Sequence, residues 1–198
     1  MTVRRTSQRP KTWSILGDVR KKPSEYEIVT AKSIYHFRRQ PSPFELDPHT
    51  PINEWYLKYR EGSAFQVTDW EGFRDPYQLT YRRYVQLQHE QEIYIEKLVD
   101  QFERHNADAQ LNLDWVKVME KFYIPSRFPI HVLQMSSLYL AQLAPSAYIS
   151  NGAFFQAADE LRRIQWVAYR TKSLALSHYP ELASSASTRQ IWEEEEAP

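Results

Sequence analysis

The chain has 198 residues, with 25 Lys/Arg balanced by 25 Asp/Glu, 42% hydrophobic residues and 14% aromatic residues. That is enough chain for a domain with a real core, and too apolar a composition for general disorder. Balanced charge gives no general pull toward nucleic acid or membrane, and the absence of cysteine excludes a disulfide scaffold and thiolate metal sites.

Only four glycines occur, which favours helices over a turn-rich β fold. The basic N-terminus lacks an apolar h-region, so no secretory signal is visible, and no apolar run approaches the length of a membrane span. A cytoplasmic setting is expected.

Residues 1–76 read as an extended N-terminal arm. They hold seven of the twelve prolines together with Trp13, Trp55 and Trp70. A short helix is expected near 51–60, where Pro51 suits a first helical turn. Residues 1–40 carry ten Lys/Arg against Asp18, Glu25 and Glu27, a surplus of seven. Two readings stay open for that charge: solvated surface, or a basic arm on an acidic partner. The aromatics Trp13, Tyr26, Trp55 and Trp70 either anchor a partner surface or pack on the chain's own helices.

After Asp75-Pro76 the pattern changes, and residues 77–178 read as a bundle of long helices. Tyr84, Leu87, Gln91, Tyr94, Leu98 and Phe102 recur at spacings of three and four, predicting an amphipathic helix from about 77 to 105. Gln91 interrupts that stripe and is expected to make an interhelical hydrogen bond. Tyr84, Gln91 and Tyr94 join the partner-interface candidates. A shorter helix is predicted over 111–122, with Asn112 or Asp114 near its start. Pro125 and Pro129 break it or begin the next element. Residues 130–144 are apolar on most sides, predicting a helix buried among others, with His131 a core or interface histidine.

The last long helix is predicted over 151–178, with an inward stripe of Phe154, Ala157, Leu161, Ile164 and Ala168. Its segment Asp159-Glu160-Leu161-Arg162-Arg163 has the outline of half a di-iron carboxylate site. Such sites take a Glu-x-x-His from one helix and a Glu from its neighbour. Here Glu160 holds the carboxylate position, while Arg163, a cation with no lone pair for a metal, holds the histidine position. Residues 121–158 contain no Asp or Glu, so the partner carboxylate is missing too. A metal site of this kind is therefore not expected in this chain. A plainer reading is that Asp159/Arg162 and Glu160/Arg163 are i,i+3 ion pairs. Residues 179–198 read as an acidic tail or a truncated connection.

Several phrases share an order with one family. They are Lys11-Thr12-Trp13-Ser14, Lys22-Pro23-Ser24-Glu25-Tyr26-Glu27, Asp75-Pro76 with Tyr81-Arg82 and Tyr84, Gln91-Glu92 with Tyr94, Asp100-Gln101-Phe102, Leu133-Gln134-Met135-Ser136-Ser137, Ala144-Pro145-Ser146, and Ala168-Tyr169-Arg170-Thr171. Together they resemble the β subunit of the hydroxylase component of bacterial multicomponent monooxygenases, in the branch acting on toluene, related aromatics and alkenes.

The resemblance implies an all-α, ferritin-like and metal-free helical bundle, of which this chain covers only the first part. It implies a dimer of αβ or αβγ units, with the di-iron centre in the partner α subunit, where O2 is activated. An effector protein, a Rieske-type ferredoxin and a reductase complete such systems, bringing NADH, FAD and iron–sulfur clusters. The role implied for this chain is a non-catalytic scaffold, with no nucleic acid and no membrane. Two other readings run against the residues. A self-contained di-iron enzyme needs carboxylates the chain lacks, and a nucleic-acid adaptor suits neither the neutral charge nor the Pro/Trp-rich arm.

Overall fold

Helix-favouring residues at amphipathic spacing, with few glycines to interrupt them, give a helical chain. The computed structural model describes residues 14, 21–30, 49, 51, 54–55, 58–59, 62–64, 66, 68, 74–144 and 147–194. The α-helices with described bounds are α1 (Glu25–Val29), α2 (Tyr81–Arg104), α3 (Leu113–Val118), α4 (Arg127–Leu143), α5 (Ala147–Ser177) and α6 (Ser185–Glu194). A π-helical turn, Met119–Tyr123, follows α3, and 3-10 turns cover Asp108–Gln110 and Pro180–Ala183. No strand occurs among the described residues. The chain divides into two compact units, residues 1–80 with 144–152, and residues 81–143 with 153–198.

In the first unit, α1 is short but doubly capped. The Ser24 hydroxyl accepts the Glu27 N–H at 3.2 Å, and the Glu27 carboxylate accepts the Ser24 N–H at 2.9 Å. This reciprocal capping box satisfies two donors that a five-residue helix cannot pair internally. The Tyr26 hydroxyl accepts the Asp75 N–H at 3.0 Å, and the Tyr26 ring lies 6.0 Å from that of Tyr148. The Arg74 guanidinium sits 4.5 Å over the Tyr148 ring. Around residue 55, the described positions Pro51, Glu54, Trp55, Lys58 and Tyr59 are helical, and the Gly62 N–H reaches the Lys58 carbonyl at 3.0 Å.

The helix predicted from 77 begins at Tyr81 instead. The Asp75 carboxylate accepts the N–H groups of Tyr77 at 2.8 Å and Leu79 at 2.7 Å, and Gln78 takes a left-handed φ of 47°. An Asx-type turn therefore competes successfully with helix over 75–80.

In the second unit, the fully buried side chains Val116, Ile124, Leu174 and Leu182 form the core with Ala175. The π turn explains how Val116 and Ile124 share it. Eight residues of α-helix make roughly 2.2 turns, which would rotate Ile124 off the face of Val116. The wider turn, closed by the Ile124 N–H to the Met119 carbonyl at 2.9 Å, restores the register.

The segment after α2 is pinned to α5 through buried Asp108. The Asp108 carboxylate accepts the Ser173 hydroxyl at 2.5 Å and pairs with Arg170, and its carbonyl meets His178 Nε2 at 2.8 Å.

Part of the segment expected as an acidic tail or truncated connection is helical, over Pro180–Ala183 and Ser185–Glu194. The Ser184 hydroxyl accepts the Ser187 N–H at 3.2 Å, an Arg189–Glu193 pair at 2.8 Å braces α6, and Trp192 stacks on Phe128 at 5.8 Å. A capping serine and one aromatic contact support this helix.

The inward faces also differ from the expected stripes. On α2 only Tyr84 is buried, with Gln88, Glu92, Ile95 and Val99 half-buried behind it. Leu87, Gln91, Tyr94, Leu98 and Phe102 form an exposed stripe beside them. On α5 the buried residues include Ala153, Ala157, Glu160, Val167, Thr171 and Leu174, while Phe154, Leu161 and Ala168 point outward. Expected and observed stripes have the same period. Periodicity identifies an apolar face without telling which covering surface it meets.

Candidate functional site

One polar cluster of the second unit lies where α2 meets α5. Tyr84, Gln88 and Glu92 lie four apart, one above another on a single face of α2. The Tyr84 hydroxyl donates to Asp159 Oδ1 at 2.7 Å, and Gln88 Nε2 donates to the same oxygen at 2.8 Å. One turn on, Arg162 pairs with Glu92 at 3.2 Å. The Tyr84 ring stacks on Phe155, with centroids 4.6 Å apart and planes 10° from parallel.

The expected Asp159/Arg162 pair is therefore not formed. Each residue turns to α2 rather than to its neighbour on α5, and the two helices become cross-linked. The interhelical hydrogen bond expected of Gln91 is made by Gln88, three positions earlier.

Burial raises the Tyr84 pKa from 10.0 to about 12, with the hydrogen bond to Asp159 adding to the rise. The raised pKa means that folding favours the protonated phenol. Its contribution to stability is complete below pH 10 and is lost as pH climbs through about 12. Tyr179, bonded to Glu120 and raised to about 12, adds to the same loss. In Tyr84→Phe the alkaline unfolding curve should flatten over this window. Stability at pH 7 should fall by about 1 kcal/mol for the lost bond to Asp159. Denaturation midpoints at a series of pH values check both effects.

Glu160 and Arg163 form the i,i+3 pair expected of them, at 2.7 Å. The pair is lopsided, with the Glu160 side chain 9% exposed and the Arg163 side chain 59% exposed. An exposed guanidinium has little desolvation to recover, so Arg163→Leu is expected to cost about 1–3 kcal/mol, the penalty of a poorly satisfied buried acceptor. Glu160→Gln combined with Arg163→Leu should return most of that loss in thermal or denaturant unfolding. A double variant no more stable than Arg163→Leu alone would refute the pairing argument.

These carboxylates do not fit iron. Glu160 is engaged by Arg163, Glu92 by Arg162, and Asp159 by two neutral donors from α2. No group of three or more His, Cys, Asp or Glu suited to a metal occurs among the described residues. A cation stands where a di-iron site needs an imidazole.

A second feature is apolar. Residues 128–158 contain no Asp, Glu, Lys or Arg. Their helix α4 turns Gln134, Ser137 and Ala141 inward with Ile130, while Val132, Leu133, Met135, Tyr139 and Leu140 are exposed. The expectation of a helix buried on most sides therefore fails within this chain. The exposed face remains uncharged and apolar, and His131 lies on exposed surface rather than in the core.

The comparisons with known proteins fit this arrangement. A family model described as methane/phenol/alkene hydroxylase matches residues 55–198. The chain belongs to the methane/phenol/alkene hydroxylase family. Within that family it is 43% identical, over 190 residues, to the hydroxylase component subunit beta of the toluene-4-monooxygenase system of Ectopseudomonas mendocina. The match covers 96% of this chain and 58% of that relative. A solved structure of toluene 4-monooxygenase, with toluene bound in its resting active site, contains a chain that matches with a TM-score of 0.78 at 42% identity. That match covers 96% of this chain and 62% of the solved chain. The all-α, ferritin-like plan expected from the sequence is the plan of this hydroxylase fold.

The interface candidates are scattered. Trp13 and Trp70 lie outside the described residues, as does most of the basic 1–40 segment. Tyr26 is 3% exposed and packs within the first unit. Tyr84 is likewise buried, in the seam between α2 and α5. Gln91 and Tyr94 share the exposed stripe of α2. Trp55 is partly exposed, with its ring 5.0 Å from Tyr59. The seam residues Gln88, Glu92, Asp159 and Arg162 form a cluster that the sequence reading does not group. The i, i+4, i+8 run of polar side chains from Tyr84 was a legible signal for it.

Proposed function

We propose that this chain is a non-catalytic structural β subunit of a multicomponent di-iron hydroxylase, working in the cytoplasm. It supports O2-dependent hydroxylation or epoxidation of aromatic hydrocarbons or alkenes by a partner α subunit. The observation that carries the reading is the charge-free, outward apolar face of α4. Each Å² of apolar surface taken from water is worth about 25 cal/mol, so a face of this kind favours a protein partner.

The chain's own residues bind and brace. The α2–α5 polar cross-links hold the bundle in register, and the apolar face holds a partner's helices still. A rigid supporting shell preserves the geometry of a site that the shell does not itself contain. The di-iron centre and the O2 chemistry belong to the partner, and a γ subunit, an effector protein, a Rieske-type ferredoxin and a reductase complete the system. No described helix is long and apolar enough to cross a membrane.

Co-expression with a hydroxylase subunit carrying two Glu-x-x-His motifs tests the reading. A stoichiometric complex should form, with turnover in the complex and none in this chain alone. Full turnover by the partner in the absence of this chain would contradict the supporting role.

A further inference from the structure

Among the described residues, three tyrosine hydroxyls donate to carboxylates. Tyr84 bonds Asp159 at 2.7 Å, Tyr179 bonds Glu120 at 2.9 Å, and Tyr169 bonds Glu103 at 2.5 Å. Tyr169 differs from the other two by its neighbour. Trp166, one turn earlier on α5, meets its ring edge-on, with centroids 5.7 Å apart and planes at 76°. Trp166, Tyr169 and Glu103 all line one groove of about 1200 Å3 between α2, α4 and α5, which Met119 and Tyr123 also border. Four of the side chains most easily oxidised in any protein thus face one open space, and one of them has a proton acceptor already in hydrogen-bond contact.

That contact sets the chemistry. A phenol that loses an electron becomes a strong acid, and its oxidation is easy only when a base can take the proton at once. A carboxylate within hydrogen-bond reach is such a base. Trp55 and Tyr59 offer a contrast. Their rings are 5.0 Å apart, but Tyr59 has no bond to a carboxylate among the described residues.

We infer that Trp166, Tyr169 and Glu103 form a relay that accepts oxidising equivalents arriving at this subunit and holds them as a neutral tyrosyl radical. A diffusible oxidant of the oxygen-centred radical class takes an electron from Trp166, is reduced to its anion, and leaves an indole radical cation. Tyr169 gives an electron to that cation and restores the indole. In the same event the Tyr169 proton passes to Glu103, leaving a neutral phenoxyl radical beside a carboxylic acid. A diffusible one-electron reductant of the thiol or ascorbate class returns an electron, and the proton moves back to the phenol. The net change is one oxidant and one reductant consumed, with the protein unaltered. The inference stands on these three side chains and is independent of the proposed assembly.

Flash-generated ruthenium(III) tris-bipyridine, with persulfate as the electron acceptor, supplies the oxidant to the full chain. Electron paramagnetic resonance and transient absorption read the radicals. The intact chain should give a tyrosyl radical preceded by a tryptophan radical. Tyr169→Phe should lose most of the tyrosyl signal and prolong the tryptophan radical. Glu103→Gln keeps the shape and lacks the base, and should slow tyrosyl formation roughly ten- to a hundredfold, the rate equivalent of one charge-assisted hydrogen bond. Tyr59→Phe should change neither. Glu103 is exposed, so its variant carries the test should Tyr169→Phe misfold by circular dichroism. Unchanged tyrosyl yield and rate in Tyr169→Phe and Glu103→Gln, or an equal loss in Tyr59→Phe, would overturn the relay.

Discussion

A single carboxylate placed on the outward face of α4 is expected to weaken assembly with the proposed partner subunit by orders of magnitude while leaving this chain's helicity intact. Met135 and Leu140 are each 49% exposed, so Met135→Glu or Leu140→Glu meets water in the free chain and costs it little. Against an apolar partner the same carboxylate is desolvated without a counter-charge, at about 3–5 kcal/mol. Every 1.4 kcal/mol is tenfold in affinity, so binding should weaken by roughly two to four orders of magnitude. Size-exclusion or surface-plasmon measurements with the co-expressed partner read this directly. Gln190→Glu, an exposed change on α6, is the matched control. Equal loss of binding in that control would mean that added negative charge, and not the α4 face, is what assembly resists.

The largest expected loss of folding stability lies in the small core of the second unit. Leu174 is 0% exposed and packs with Val116, Ile124, Ala175 and Leu182. Leu174→Ala removes buried methyl groups and leaves a cavity, at about 2–5 kcal/mol in denaturant unfolding. Leu111, Met119, Tyr123 and Tyr179 pack around that cluster, so little can relax inward to fill the gap. Leu176, two residues later and 77% exposed, is the internal comparison, and Leu176→Ala should stay within about 0.5 kcal/mol of the parent chain. If the two variants destabilise equally, the core has been placed on the wrong face of α5.

These two sites also mark the limit of what the sequence discloses. The helical class, the family and the Glu160–Arg163 pair were all legible, because each depends on local spacing or ordered phrases. The choice of inward face was not. Both Leu87/Tyr94/Leu98 and Tyr84/Ile95/Val99 fit a helical period on α2, and only the polar ties of Tyr84, Gln88 and Glu92 to α5 select between them. Asp159 and Arg162 look like partners when α5 is read alone, yet each finds a better one on α2. Helix α6 was hidden by its Ala/Ser-rich start, although Ser184 is a strong capping residue. The π turn depends on Ile124 reaching the same core as Val116, which no local pattern records.

Iron counted chain by chain tests the central claim most directly. The claim is that this subunit belongs to a di-iron hydroxylase without holding metal of its own. After co-expression and purification of the complex, iron should scale with the catalytic partner, and this chain, once separated, should retain only background metal. Turnover per assembled complex should survive Glu160→Gln combined with Arg163→Leu. Stoichiometric, chelator-resistant iron on this chain, or turnover that collapses in the assembled double variant at unchanged iron content, would contradict the supporting role.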